Sequence, residues 1–492
     1  MIRFVCIILS LFCTLDAISQ RRQDSVLVLT LEKAIEIARV QSPDARYARH
    51  RFRSQYWNYC YYKANYKPSL NFSSNPSFNH SINAITLPDA TLRYMQQNNV
   101  VTDAVLSLTQ NITLTGGSLS LQTSLQRMDM LSSNTHSYRT NPLSIVYQQS
   151  LTGHNSLKWD RKIEPIRFEE AKKNYVETME LVASRVIQRF FNLAQMQTNL
   201  NMAKTNYAHA DTLYAFAKRR YDIGTITESE LLQLEISRLN EESNLLNNQN
   251  DLDDYMQNFR TFLGINEALI INVDIDFNIP TFTIDIDKAI QLAFENHPRI
   301  LASQRSKLES ESNVTRAKAN AGLRADIYAQ FGLTQTGDEL DVAYKKPLNQ
   351  QYVSIGIRLP ILDWGRGKGS IRMAESSRDL IYAQEEQNMS DFEQDVVKIV
   401  KQFNLQNGNV MIATKMDQTA ERNSEVSRKL YLLGKLSVTD LNTSVRDKDN
   451  AKRKYINSLY DYWRYYYMLR NLTLYDFEKG IALTEDYEAL IK

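Results

Sequence analysis

The run Tyr352-Val-Ser-Ile-Gly-Ile-Arg-Leu359-Pro360-Ile-Leu-Asp363-Trp-Gly365-Arg-Gly-Lys-Gly369 joins two kinds of structure. Up to Leu359 the residues alternate. Val353, Ile355, Ile357 and Leu359 share one face, and Ser354, Gly356 and Arg358 share the other. A period of two with one greasy and one wet face specifies a β-strand. Pro360 ends the pattern, and Asp363 and Gly365 offer a turn. From Ser370 to Leu433 only Gly408 then interrupts a stretch of helix-forming residues. The sequence therefore predicts a strand that hands over to a very long helix at 370–432.

Working outward, Asp326-Ile-Tyr-Ala-Gln-Phe-Gly-Leu333 alternates in the same way, with Ile327, Ala329, Phe331 and Leu333 on one face. The polar stretch 334–350, with Gly337 and Pro347, reads as an exposed loop. Similar strands are expected at 118–126 and 143–151. Leu106 to Leu114 also alternates, Gly116-Gly117 can turn it into the next strand, and Leu70-Asn-Phe-Ser can start another. Segments of about ten residues with a wet and a greasy face fit outer-membrane strands. A soluble β-sandwich has the same alternation, so the pattern alone leaves both open.

The strand-to-helix unit occurs twice. Leu31-Glu-Lys-Ala-Ile-Glu-Ile-Ala-Arg-Val-Gln-Ser-Pro43 recurs as Ile286-Asp-Lys-Ala-Ile-Gln-Leu-Ala-Phe-Glu-Asn-His-Pro298, and Lys63-Ala64-Asn65 as Lys318-Ala319-Asn320. Tyr221-Asp-Ile-Gly224 with Glu230-Leu231 recurs as Tyr431-Leu-Leu-Gly434 with Asp440-Leu441. The chain is a tandem duplication whose first copy carries about 45 extra residues in its middle, a period too long for an ordinary solenoid. Each copy reads as a helix (31–66 and 286–321), alternating segments, a very long helix (156–222 and 370–432), a glycine turn and a return helix (227–263 and 437–470). Between Pro165 and Gly224 there is neither Gly nor Pro, which allows roughly 87 Å of helix. In the return helix Leu232, Leu239 and Leu246 are spaced by heptads, as are Leu245, Leu252 and Phe259. Two such stripes suit a helix packed on both flanks. A long soluble coiled coil would show the same stripes.

Residues 1–19 read as a secretory signal peptide. Arg3 supplies a positive start, Phe4 to Leu15 an apolar core, and Ala17-Ile18-Ser19 a small-residue cleavage site before Gln20. A membrane-anchoring helix is the other reading, but the apolar core is short for a span. Cys6 and Cys13 follow large residues and do not read as lipid-attachment sites. Of the 3 cysteines this leaves Cys60, so a mature chain forms no internal disulfide. No later run of 18 or more uncharged apolar residues is present. An exported chain of this kind is either soluble outside the cytoplasm or crosses a membrane as a β-barrel.

Composition narrows the field. The 492 residues carry Lys+Arg 58 against Asp+Glu 56, a formal net charge of +2, which argues against a dedicated nucleic-acid binder. With 43% hydrophobic and 23% charged residues the chain reads as folded. Its 15 Gly and 10 Pro are few for this length and favour long helices.

These features together resemble the TolC family of outer-membrane efflux and export ducts, over roughly residues 30 to 480. The resemblance rests on the duplicated order of parts, on the junction Leu359-Pro360-Ile-Leu-Asp363-Trp-Gly365-Arg-Gly, on partial versions of it at Leu108-Thr-Gln110 and Tyr147-Gln-Gln149-Ser-Leu151, and on the tip turns Tyr221-x-x-Gly224 and Tyr431-x-x-Gly434. It implies a mainly α protein with a membrane β-barrel portion. Three chains would close one β-barrel in the outer membrane, continued by a long periplasmic α-helical barrel. The expected layout is repeat 1 at 20–284 with membrane strands about 104–151, repeat 2 at 285–475 with membrane strands about 324–360, and a tail at 476–492. Four strands per chain, twelve per barrel, are expected, although the first copy offers up to six.

The resemblance also implies a function. The protein would be a passive exit duct from the periplasm to the outside for drugs, ions or polypeptides. It would be driven by an inner-membrane pump of the RND or ABC type and reached through a periplasmic adaptor. Gly224 and Gly434 would make the tip turns, Tyr221 would belong to the first tip, Tyr431 would help hold the gate closed, and Glu230 and Asp440 would form acidic rings. Lys435 is expected to replace a family cation whose place Leu436 takes here, and Thr443 stands where the family has a second acid. As helix N-terminal acids, Glu230 and Asp440 would also serve stability alone. Pro360, Asp363 and Gly365 would form the barrel-to-helix junction.

No enzyme, cofactor or metal site is expected. The six histidines, His50, His80, His136, His154, His209 and His297, include no i,i+4 pair, and none lies near Cys60. No Gly-x-Ser-x-Gly elbow appears. Gly365-Arg-Gly367-Lys-Gly369 lacks the Lys-Ser/Thr of a phosphate loop and reads as a hinge. The aromatic run Tyr460 to Tyr467 is expected to pack between helices. The rival from another class is an extracytoplasmic coiled-coil scaffold without a channel.

Overall fold

The computed structural model describes residues 26–86, 88–265, 269–275 and 279–491. The expected signal peptide lies outside the described residues. The duplication is visible in element lengths. In the first copy α1 (Leu31–Gln41) and α2 (Pro43–Ala64) precede the strands, and α3 (Ser156–Asp222) and α4 (Glu228–Leu263) follow them. The second copy repeats this with α5 (Ile286–Asn296), α6 (Pro298–Ala321), α7 (Arg366–Leu432) and α8 (Val438–Thr473). Both long helices have 67 residues and both return helices have 36. A 67-residue helix spans about 100 Å.

Each first helix, expected unbroken at 31–66 and 286–321, is in fact two. Ser42 and His297 adopt extended backbone, their side chains accept from the N–H groups of Ala45 and Arg299, and the proline behind each starts a new helix. A residue before proline is driven out of the helical region, while proline fits the first helical turn. The second long helix starts at Arg366 rather than 370 and passes through Gly408 unbroken. The last return helix runs to Thr473 rather than 470.

Between the first helices and the long helices lies an antiparallel sheet. It comprises β2 (Ser69–Ser74), β3 (Ser77–Thr86), β4 (Leu92–Ile112), β5 (Gly117–Met130), β6 (Thr135–Ser150), β8 (Arg324–Gly337) and β9 (Leu348–Arg358). Strands β2 and β3 both pair with β4, one after the other, so seven strands fill six positions in the order β2/β3, β4, β5, β6, β8, β9. The sheet thus offers six strand positions, where four membrane strands per chain are expected and the first copy offers up to six. The sheet begins at Ser69, well before the expected 104, because the hairpin of β2 and β3 with β4 is hydrogen-bonded to β5 along Asn99 to Ile112.

The main core sits about midway along the long helices. Leu29, Ile35, Ile187, Phe190, Phe259, Phe403, Ile456 and Tyr462 pack together, closed off by a parallel pair of short strands, β1 (Val26–Leu29) and β7 (Ile270–Val273). The aromatic run lies here as expected. Tyr462 and Tyr466 are buried against Phe403, and their hydroxyls donate to the Pro280 carbonyl and to Asp476, both at 2.6 Å. Burial raises both phenols above their usual range. Beside them the buried Glu180 on α3 accepts from Arg470 (2.9 and 3.2 Å) and from Arg39, while Arg470 also donates to Asp476 at 2.6 Å. The network ties α1, α3 and α8 together. The C-terminal segment is packed: Tyr487, Leu490 and Ile491 lie against Phe52 and Tyr175, and Arg53 donates to the Leu490 carbonyl at 2.6 Å. Among the described residues no helix is long and apolar enough to cross a membrane.

Candidate functional site at the helix-hairpin tips

Each long hairpin reverses through one glycine. Gly224 has φ +75° and Gly434 φ +69°, and a Cβ at either would meet nothing within 4 Å. The demand is therefore for left-handed backbone, not for space. The amide after each glycine, on Thr225 and Lys435, donates back to the carbonyls of Arg220 and Leu430 at 2.9 and 3.0 Å. Both return helices then start on capped ends. Thr227 and Glu230 form a reciprocal capping box, with bonds of 3.1 and 3.2 Å. Ser437 accepts from the Asp440 N–H at 3.1 Å and donates to its carboxylate at 2.7 Å. Within one chain, then, Glu230 and Asp440 finish helix ends.

The fold brings the two tips together. Ala217 and Leu234 of the first hairpin are buried against Tyr431, Val438 and Leu441 of the second. The two repeat-related tyrosines part company here: Tyr431 is 6% exposed and Tyr221 is 40% exposed. Burial raises the Tyr431 phenol, Arg220 opposes the rise and Glu230 adds to it, so both charged groups stand near that hydroxyl. Lys435 and Thr443 lie on the tip surface, and Leu436 is packed at the edge of the cluster.

Behind the tyrosine lies a polar layer that the sequence reading missed. A cavity of about 280 Å³ is lined by Asn206, His209, Glu241, Arg428 and Lys448, among others. Arg428 donates to His209 Nε2 at 2.6 Å, and Asn206 donates to Asp449 at 2.7 Å. Burial, Arg428 and then Lys448 lower the His209 pKa, consistent with a neutral imidazole accepting that bond. The available signal was spacing. Asn206 and His209, and likewise Arg428 and Tyr431, are three apart and share a helix face.

At the other end of α7, Asp363, Gly365 and Gly367 form a turn. The Asp363 carboxylate accepts from the N–H groups of Gly365 (3.0 Å) and Gly367 (2.8 Å), and these bonds hold its pKa below the usual range. The loop amides that a phosphate would need are thus already engaged by this chain's own carboxylate, and the glycine-rich run works as a turn. Gly365 has φ +84°, and Trp364 beside it is left-handed and 90% exposed. Pro360 lies in the exposed stretch just after β9.

Residues 115–265 match the family model described as outer membrane efflux protein. No curated protein sequence matches the chain. Among solved structures it is similar to the CmeC outer membrane channel of Campylobacter jejuni, with TM-score 0.67 and 16% identity over 94% of this chain and 88% of that one. It is also similar to the outer membrane protein VceC of Vibrio cholerae, with TM-score 0.62 and 14% identity over 90% and 95%. The open state of the MtrE outer membrane channel of Neisseria gonorrhoeae gives TM-score 0.60 and 14% identity over 93% and 90%. The family match covers residues 115–265, and over 90% or more of its length the chain shares the fold of these outer membrane channels.

Proposed function

We propose that the protein is the outer-membrane exit duct of a tripartite efflux or secretion assembly. It acts as a homotrimer and conducts cargo passively. A periplasmic adaptor engages the helix tips, and an inner-membrane pump of the RND or ABC type supplies the energy. The observation that carries this reading is the pairing of an exposed, two-faced sheet with paired 67-residue helices whose tips dock on one another through Tyr431. The sheet face supports a lipid contact: Leu108, Leu121, Ile145, Phe331 and Ile355 are all exposed, and a coiled-coil scaffold has no use for such a face. The docked tips support gating. Separating them uncovers a small apolar cluster and the polar layer behind it, a change that an adaptor can drive by binding the open form better.

The test is the mass of the mature protein extracted from isolated outer membranes in mild detergent, followed by conductance in planar bilayers. A trimer with a low resting conductance is expected. A soluble monomer or dimer found outside the outer membrane refutes the duct.

A further inference from the structure

The first copy contributes more strand than the duct reading requires, and the surplus is built into the sheet. We propose that β4 and β5 are wall strands of the barrel, so that three chains close eighteen antiparallel strands through a seam between β9 of one chain and β2 of the next. This rests on the trimeric outer-membrane reading above.

Three observations carry it. The first is facial continuity. Registered partners on neighbouring strands share a face. Leu70, Leu108, Leu121, Ile145 and Phe331 are successive partners across β2, β4, β5, β6 and β8, and all five are exposed. The adjacent row, Asn71, Ser107, Gln122, Ser144, Gly332 and Gln350, crosses all six positions without an apolar side chain. The greasy band therefore continues through the extra hairpin at the same height as elsewhere, with a wet face behind it. On β9 the registered partner of Phe331 is Gln351, and the apolar face resumes at the exposed Val353 and Ile355. Lipid hydrocarbon is the occupant that fits a band running through five of the six positions and taken up again on the sixth.

The second observation is the anchoring of the hairpin. The turn between β4 and β5 is pinned at the rim where the helices begin. Asn155, the N-cap of α3, donates to the carbonyls of Thr113 and Leu114 at 2.9 and 3.2 Å. Gln149 donates to the Thr115 carbonyl at 2.8 Å. Gln110 and Asn111 reach back to the carbonyls of Tyr66 and Asn65 at the end of α2, at 3.1 and 3.0 Å. An appended surface ribbon would not need these ties.

The third is parity. Six alternating positions leave β2 and β9 as edges running in opposite directions. Each edge can therefore pair antiparallel with its counterpart on the next chain, and lipid does not tolerate an open edge. Because barrel diameter grows roughly linearly with strand number, eighteen strands make an outlet about half again as wide as twelve. Restriction would then rest with the helix tips, and the outlet would pass bulky cargo.

The test uses the full-length protein with Cys60→Ser and two cysteine pairs, treated with a short bismaleimide in isolated outer membranes. Phe72→Cys with Ile355→Cys bridges the proposed seam and should give covalent trimers on denaturing gels. Leu121→Cys with Ile355→Cys bridges the alternative, in which β5 closes on β9 and the first hairpin lies outside the wall; it should leave monomers. The converse result overturns the proposal while leaving the duct intact. A nitroxide at Leu108→Cys gives a second reading. Its collisions with oxygen should dominate over those with a nickel chelate, as for one at Ile355→Cys, and a chelate-accessible label at Leu108 alone overturns the wall assignment. Absence of any trimer in outer membranes refutes the duct reading itself and the seam with it.

Discussion

Tyr431→Ala is the most informative single change. The ring is 6% exposed and stands at the centre of the only buried cluster that joins the two tips among the described residues, with Ala217, Leu234, Val438 and Leu441 around it. Deleting a buried aromatic ring costs about 3–5 kcal/mol. This cluster is small and lies at the free end of a long hairpin, where neighbours collapse easily, so the lower figure applies. Each 1.4 kcal/mol or so is a factor of ten. A loss of about 3 kcal/mol therefore shifts the balance between docked and separated tips by about two orders of magnitude. In planar bilayers the purified variant should show frequent, long openings where the wild type is mostly closed, while migrating as the same trimer. Tyr431→Phe keeps the ring and should stay mostly closed. A folded Tyr431→Ala trimer with wild-type open probability would show that tip docking does not control passage.

Other outcomes follow from the same geometry. His209 is neutral in the folded state and its pKa is lowered, so its contribution is complete above the unfolded value of about 6.5 and lost as pH falls below it; acidification from pH 7.5 to 5.5 should raise open probability. Burial also raises Glu241 in the same cavity, so His209→Gln is the control that assigns the effect, and an unchanged pH profile in that variant would remove the histidine from it. Glu180→Ala leaves Arg470 and Arg39 facing each other without their shared carboxylate, at a cost of about 3–5 kcal/mol, and should clearly lower the temperature of thermal unfolding followed by circular dichroism. Gly434→Ala forces a left-handed alanine into otherwise open space, at about 1–2 kcal/mol. Gly434→Asn should cost less in the same melting experiment, because asparagine tolerates that backbone.

The helical half of the fold was legible because long Gly- and Pro-free runs and a repeated Tyr-x-x-Gly turn leave little choice to the backbone. The bounds 156–222 agree with the structure for that reason. The breaks at Ser42 and His297 were also written in the sequence, as residues before proline, but the apolar spacing carries on past them and masks the change of direction. The width of the sheet was less legible. Around Gln96-Gln97-Asn98-Asn99 both faces of β4 are polar, and the pairing with β3 that makes it a strand is a long-range property. At the candidate site the turns and caps could be read locally. The contrast between Tyr221 and Tyr431 could not, because it arises from packing between hairpins separated by about 200 residues. The polar layer of His209 and Arg428 needs the same juxtaposition.

The parallel pair β1 and β7 has a consequence for biogenesis. Residue for residue, Val26 to Leu29 match Ile270 to Val273, so the first described strand waits for a partner about 240 residues downstream. A chain made from its N-terminus presents β1 early and β7 late, after the whole first helical hairpin. Until then Val26 and Val28, exposed even in the finished chain, offer a bare strand edge to any passing polypeptide. Contacts of such long sequence separation form slowly. The mid-helix belt therefore closes only after Val273 has been made, and for that interval the N-terminal strand is an open pairing edge.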